Sequence, residues 1–285
     1  MSAAPAGRLV LITGASSGIG LATAIAAAHD GFRVVATVRD VARAGTLRLA
    51  ASDAGVVIDV RQLDVTDQDS IRRCMADVID TYGRLDALVN NAGAAHINTV
   101  ELDDLVAIRA TLEVNFFGVV AMTHAAMPHL RATGGRLLTI SSVGGIVGQP
   151  FNEAYCAAKF AVEGFMESLA PVAAAVGVTV SVIEPGAVQS SFVANAGVDR
   201  EAMVDRSGPY AAALRAYLVR TEAAFANAQS AAEVGDIVVN ALNIENPVFR
   251  LQTSAGAQAF AGLKLADLDG SVVQGVTASW VVPAS

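Results

Sequence analysis

Cysteine is nearly missing from this sequence: Cys74 and Cys156 are the only two, and they lie 82 positions apart. That pattern excludes a disulfide framework and supplies no metal-ligand spacing, so a reducing compartment, the cytoplasm, is the expectation. Charge is thin, at 16% of residues, and acidic in balance, with a formal net charge of -8 and an isoelectric point near 4.9. A chain so poor in basic side chains has little with which to neutralise phosphates, which argues against a nucleic-acid partner. Long apolar runs are missing as well, despite a mean hydropathy of +0.49. The longest, "LAPVAAAVGVTVSVI" at 169–183, holds a glycine and two hydroxyls and falls short of the roughly 18 continuous apolar residues of a membrane span. Near the start, "LVLI" is too short for a signal segment.

What remains is alternation. Short β-branched runs at 8–13, 33–38, 56–63, 85–90, 136–141, 178–184 and 247–252 alternate with helical patterns near 18–29, 42–53, 67–81, 101–131, 153–175 and 231–243. Strands apolar on both faces belong in a parallel sheet covered by helices. The expectation is an α/β, Rossmann-type doubly wound and mostly parallel sheet of about seven strands, flanked by helices on both faces. One dinucleotide-binding and catalytic domain over 1–285 accounts for the whole length. Within it, the irregular stretch 187–230, which shows no strand, is the expected substrate-binding segment, and 253–285 is a C-terminal tail.

Between the first strand and first helix stand Gly14, Gly18 and Gly20 in "TGASSGIG". Glycines there permit a sharp turn and let a diphosphate approach bare amides at a helix N-terminus. Ser16, Ser17 and Ile19 complete this expected cofactor turn. No Gly-Lys-Ser/Thr follows, so the loop is not that of a nucleotide hydrolase.

The chain resembles the short-chain dehydrogenase/reductase family. The resemblance runs to about residue 255 and rests on "TGASSGIG", "LDVTD" (63–67), "NNAG" (90–93), Asn115 in "VNFFG", "ISS" (140–142), "YCAAK" (155–159) and "PGAV" (185–188), all in the family's order. The stretch "GQPFNEAYCAAKFAVEGFMESLA", the Arg39 region and the tail are most similar to the 17-beta-hydroxysteroid and retinol dehydrogenase branch.

Tyr155 and Lys159 are four residues apart and so share a helical face. A phenol is a poor acid in water, and a cation about 4–6 Å away favours phenolate. Tyr155 would then exchange a proton with an alcohol or carbonyl while hydride moves to or from a nicotinamide. The resemblance implies that Lys159 also holds the nicotinamide ribose, that Ser142 binds the substrate oxygen and that Asn115 anchors a water leading from Lys159 to solvent. The competing account, a Tyr and a Lys merely sharing a helix, loses force once Ser142, Asn115 and the glycine turn accompany them.

At the end of the second strand Val38 stands where an acidic residue would bind an unphosphorylated ribose, with Arg39 next. A guanidinium grips a 2′-phosphate, so NADP(H) is favoured over NAD(H). Asp40 offers the opposite arrangement if the strand ends later, and Arg39 is alternatively a solvated loop charge. Asp64 and Val65 are expected at the adenine, with capping of the next helix as the other reading for this stretch. By resemblance Asn91, Ala92 and Gly93 line the ribose side, Pro185 and Gly186 pass the nicotinamide, and Val188 and Ser190 contact its carboxamide.

For the substrate, Val143, Gly144, Gln149, Phe151, Phe192 and Met203 supply mostly apolar surface, which suits a steroid, retinoid or fatty carbonyl. A 3-oxoacyl thioester is the rival, kept open by Arg200, Arg206, Arg215 and Arg220. A non-catalytic dinucleotide-binding redox sensor and an epimerase are the alternatives from other classes. The two helical stretches 101–131 and 153–175 are apolar on more than one face, and the resemblance implies a homodimer or homotetramer built on them. His96, after "NNAG", is a weak candidate for the edge of the site; no metal site is expected.

Overall fold

Apolar runs of valine, leucine and isoleucine pair edge to edge in the computed structural model, which describes residues 7–189, 200–226 and 228–282. The strands are β1 (Leu9–Ile12), β2 (Arg33–Val38), β3 (Asp59–Gln62), β4 (Ala87–Asn90), β5 (Arg136–Ile140), β6 (Thr179–Glu184), two short ones, β7 (Val188–Gln189) and β8 (Gln229–Ser230), and β9 (Arg250–Gln252). Seven of them form one sheet in the order β3-β2-β1-β4-β5-β6-β9, with every neighbour parallel. The order reverses between β1 and β4, which opens a crevice at the carboxyl ends of these strands.

Alternate residues of each strand serve opposite layers. Leu9 and Leu11 pack with α3 (Gln68–Tyr82), α5 (Gly118–Thr133) and α6 (Glu153–Ala174), whereas Val10 and Ile12 pack with α1 (Gly18–His29), α2 (Gly45–Asp53) and α9 (Ala231–Asn243). Each fully buried leucine or valine in these layers contributes about 1.5–3 kcal/mol. Local signals set the helix ends. Asp67 caps α3 by accepting from the Asp69 amide at 2.8 Å, and Gly83, at φ 70, closes it. Ser230 and Glu233 form a reciprocal capping box at the start of α9.

The apolar stretch near 101–131 becomes one continuous helix, Leu105–Thr133, composed of α4 (Leu105–Leu112), a wider π turn at Glu113–Phe117 and α5. Among the described residues this is the one helix long and apolar enough to cross a membrane, although charged residues such as Arg109 and Glu113 interrupt its apolar run. Its inner face is committed to the sheet through Val119, Met122, Ala126 and Leu130.

Two features depart from expectation. The segment 187–230 does contain strand: β7 and β8 form a parallel two-residue ladder too short to leave a period in the sequence. Between them lie α7 (Arg200–Arg206) and α8 (Ala211–Ala226). The tail forms α10 (Ala255–Ala266) and α11 (Ser271–Ala278), after which Trp280 stacks on Phe260 at 5.6 Å and lies under Arg220 at 4.3 Å. The tail thereby covers the cluster of Phe151, Val204, Leu214, Tyr217 and Leu218.

Candidate active site

The glycine turn sits at the crevice. Gly14 and Gly18 adopt φ 67 and φ 58, a region side chains rarely enter. A Cβ on Gly14 would lie 2.7 Å from the Ala92 Cα, and one on Gly20 would lie 2.3 Å from the Asn91 Nδ2. Ser17 occupies the N-cap of α1 without a side-chain capping bond, Ser16 is exposed, and Ile19 packs against the core. The first turn of α1 holds no acidic residue, so its amides suit an anion. These residues fit a dinucleotide diphosphate. Asn91 takes a role the sequence did not suggest. Its Nδ2 donates to the Thr13 and Gly14 carbonyls at 2.8 and 3.0 Å, tying β4 to the turn.

At the end of β2, Arg39 is exposed and makes no ion pair among the described residues. The Asp40 carboxylate instead caps the following turn, accepting from the Ala42 amide at 2.9 Å. Asp64 is similarly engaged: Oδ1 accepts from the Thr66 amide and hydroxyl at 2.9 and 2.7 Å. Val65 is buried against Gly118 of α5.

Ser142 follows β5 and accepts from the Gly144 amide at 3.0 Å, which fixes its hydroxyl toward α6. There it meets Tyr155 in a side-chain hydrogen bond. Lys159, one turn further, is buried; its Nζ donates to the Ile140 carbonyl at 2.9 Å and lies 5.8 Å from the centre of the Tyr155 ring. Asn115 is fully buried in the π turn, donating to the Ala94 and Thr111 carbonyls at 3.0 and 2.9 Å while accepting from the Ala94 amide at 3.2 Å. Such wide turns recur where a helix must present one side chain out of register, and here that side chain is Asn115. Pro185 is buried, its carbonyl accepting from the Val143 amide at 3.0 Å, and Gly186 and Val188 follow it along the same edge.

Burial pushes the Tyr155 phenol up to about 12, opposed by Ser142 alone, and burial lowers the Lys159 ammonium to about 8. The Lys159 ammonium, hydrogen-bonded to the Ile140 carbonyl, stands 5.8 Å from the centre of the phenol ring. The phenol is held as an acid with a proton to give.

The substrate residues divide. Phe151 and Met203 line a cavity of about 330 Å³ together with Asn98, Leu102, Arg206 and Leu214. Val143 and Gly144 stay beside the catalytic group; a Cβ on Gly144 would stand 3.4 Å from both Ser142 Oγ and Tyr155 Cε1. Gln149 is half-buried, its carbonyl accepting from the Asn152 amide at 3.2 Å. Ser190 and Phe192 lie outside the described residues. His96 pairs with Asp103 at 2.6 Å and takes no part in the cavity lining. Phe151 alone among the described non-glycine residues has a positive φ, 57. Asn98 and Leu102 carried no periodic signal, and Tyr217, whose hydroxyl meets Asn152 Nδ2 at 2.5 Å, lay in the stretch read as irregular.

A phosphate-binding turn at a topological switch point, with a phenol, a hydroxyl and an ammonium at the neighbouring strand end, defines a dinucleotide-dependent oxidoreductase. Residues 8–201 match the short chain dehydrogenase family, and the chain belongs to it. It is 36% identical over 279 residues to retinol dehydrogenase 8 of Bos taurus, covering 94% of this chain and 88% of that one. With 17-beta-hydroxysteroid dehydrogenase type 1 of Mus musculus it shares 38% over 271 residues, covering 92% and 78%. Among solved structures it resembles an actinorhodin polyketide ketoreductase variant with NADPH, at 27% identity and a TM-score of 0.76, covering 90% of this chain and 99% of that one. The protein is therefore an oxidoreductase acting on alcohols, within the steroid and retinol branch of its family.

Proposed function

We propose that the protein interconverts a hydrophobic ketone or aldehyde with its alcohol, using NADP(H) in preference to NAD(H). The observation that carries this reading is the Ser142–Tyr155 hydrogen bond beside the buried Lys159. The nicotinamide supplies or accepts the hydride. Ser142, fixed by Gly144, orients the carbonyl oxygen, and Tyr155 transfers its proton to that oxygen in reduction or receives it in oxidation. Lys159 holds a positive charge against the cofactor ribose, and Asn115 braces the loop through Ala94.

The preference for NADP(H) is supported by Arg39, exposed where a 2′-phosphate would lie, and by the capping role of Asp40, which engages the neighbouring carboxylate in the turn. A steroid, retinoid or fatty carbonyl is supported by Phe151, Met203, Leu102 and Leu214 in the cavity and by the activities named for the relatives. Arg206, at the same cavity, favours a second reading in which the substrate carries an anionic group, as a 3-oxoacyl thioester on its carrier does. Exposed Leu105, Val106, Phe117 and Phe160 on α4, the π turn and α6 support association of two copies through these helices.

The test is NADPH oxidation, followed by absorbance, over a panel of hydrophobic ketones, aldehydes and 3-oxoacyl thioesters. Wild-type turnover that drops by at least about a hundredfold in Tyr155→Phe, with NADPH binding retained, supports the reading. Equal turnover by both proteins overturns it.

A further inference from the structure

The loop over 93–104 leads from Asn115 to the substrate cavity. At its start Ala94 is bonded to Asn115 through both its amide and its carbonyl, at 3.2 and 3.0 Å. Further on, Asn98 and Leu102 form part of the cavity wall. Two residues of this loop, His96 and Asp103, have no part in the chemistry described above. The His96 Nε2 lies 2.6 Å from the Asp103 Oδ2. An ionised carboxylate can only accept, so Nε2 carries the shared proton whether the ring is neutral or charged. The Asp103 side chain is 6% exposed and that of His96 18%, so water competes little for the bond.

The pair reaches the cavity through one residue. Asp103 Oδ1 accepts from the Asn98 Nδ2 at 3.2 Å and from the Asp104 amide at 3.0 Å. Asn98 is committed on its other sides as well. Its Nδ2 also donates to the Leu102 carbonyl at 3.3 Å, its Oδ1 accepts from the Thr99 amide at 3.0 Å, and its backbone amide donates to the Phe151 carbonyl at 2.9 Å. Phe151 depends on that last bond, because its φ of 57 lies in a region that bulky side chains rarely enter. An unbroken chain of contacts, His96 to Asp103 to Asn98 to Phe151, therefore ends on a ring that lines the cavity. The other side-chain ties of this loop, Thr99 to Glu153 and Tyr210 to Glu101, are exposed, where water competes for both partners.

We infer that His96 and Asp103 are positioning residues of the cavity: their bond closes residues 96–103 into a ring that holds Asn98, and through it the strained Phe151, as one wall. Neither side chain lines the cavity itself, so both act through Asn98. With the bond in place an apolar substrate meets a wall already formed. Without it Asn98 can turn and Phe151 can relax to ordinary backbone, and part of the binding energy goes into rebuilding the wall. The effect falls on substrate affinity. Ser142 and the cofactor turn keep their own supports, the Gly144 amide and the Asn91 side chain.

The inference rests on the reading of the cavity as the substrate's, and two measurements keep the two apart. In the full-length protein without substrate, exchange of the Asn98 amide hydrogen, followed by NMR, reports the bond to Phe151. In His96→Ala it should quicken by at least about tenfold while the slow amides of β1 and β4 keep their wild-type rates. Asp103→Ala, which removes both bonds of the ring, should go at least as far, and adding His96→Ala to it should change nothing more. His96→Gln, whose side-chain amide can still donate to Asp103, should return the rate toward wild type. With all-trans-retinal and NADPH as the probe reaction, KM in His96→Ala should rise by about fivefold or more, with kcat within about twofold and NADPH affinity unchanged. A merely structural role would quicken exchange in β1 and β4 alike and leave KM in place. Wild-type exchange at Asn98 in a folded His96→Ala protein overturns the inference, and so does faster exchange with an unchanged KM. A wild-type protein that reduces neither retinal nor any other carbonyl of the panel fails the earlier reading alone: faster Asn98 exchange in His96→Ala still supports the clamp on the wall, and unchanged exchange still overturns it. If both alanine variants fail to fold while His96→Gln is stable, the pair belongs to the fold and the inference is overturned.

Discussion

Gly93 and Asn115 leave no space between them for a methyl group: a Cβ on the glycine would lie 2.9 Å from the Asn115 Oδ1 and 3.9 Å from the Lys159 Nζ. The loop after β4 is therefore seated on the π turn, and the position of Asn115 depends on a residue with no side chain. Gly93→Ala should displace the asparagine and break its bond from the Ala94 amide. The expected cost is about 1–3 kcal/mol of stability, read by thermal unfolding. A fall of about tenfold or more in turnover should accompany it.

Exchanging the charge at the end of β2 should redirect the cofactor. Arg39→Asp removes the guanidinium and places a carboxylate where the 2′-phosphate would lie. NADPH affinity should fall by about tenfold or more while NADH affinity rises, because one charge-assisted bond is lost and a repulsion gained. Fluorescence titration with each nucleotide measures both constants. Unchanged affinities for both would return Arg39 to the solvent.

The buried carboxyl group behind the site should leave a mark on stability against pH. Glu163 has its pKa raised in the folded chain from 4.5 to about 7. Between those values the folded state binds more protons than the unfolded state, so stability falls as pH rises through that window and is level beyond it. The amplitude is on the order of 3 kcal/mol at most. Denaturant unfolding at about pH 5 and about pH 7.5 should show the decline in wild type, and Glu163→Gln should flatten it.

Phe151 sits between strain and packing. Its φ of 57 is costly for a bulky side chain, and the Asn98 amide holds it there by donating to its carbonyl at 2.9 Å. Its ring contacts Tyr217 at 5.6 Å between centroids and lines the cavity. Phe151→Gly relieves the backbone and removes the ring. The lost ring, at about 3–5 kcal/mol, should outweigh strain relief of about 1–3 kcal/mol. The Michaelis constant for hydrophobic carbonyls should rise more than the turnover number falls, as steady-state kinetics would show.

Most of the sheet was legible because burial on both faces forces unbroken apolar runs, and "RVVATV" and "TVSVIE" need no partner to be recognised as strands. Tyr155, Lys159 and the glycine turn were legible for a different reason: their spacing is itself the chemistry. What escaped detection depends on contacts between distant segments. Glu163 lay in plain view four residues beyond Lys159, but its burial comes from β6 and β9, which a helical period does not reveal. The π turn has no sequence signature at all, since Val114, Asn115 and Phe116 would suit an ordinary helix. Spacing likewise gives the proximity of Lys159 to Tyr155 but not the bond its ammonium makes to the Ile140 carbonyl, which comes from β5.

The π turn at Glu113–Phe117 makes residue count, rather than residue identity, the thing that phases this helix. Each residue added to or removed from a helix rotates everything beyond it by about 100°. The extra residue lets α4 turn one face toward α6 while α5 still points Met122 and Leu130 at the sheet. Substitutions along this stretch can be absorbed one side chain at a time. A single deletion cannot, because it would swing either Asn115 out of the site or the entire inner face of α5 off the core.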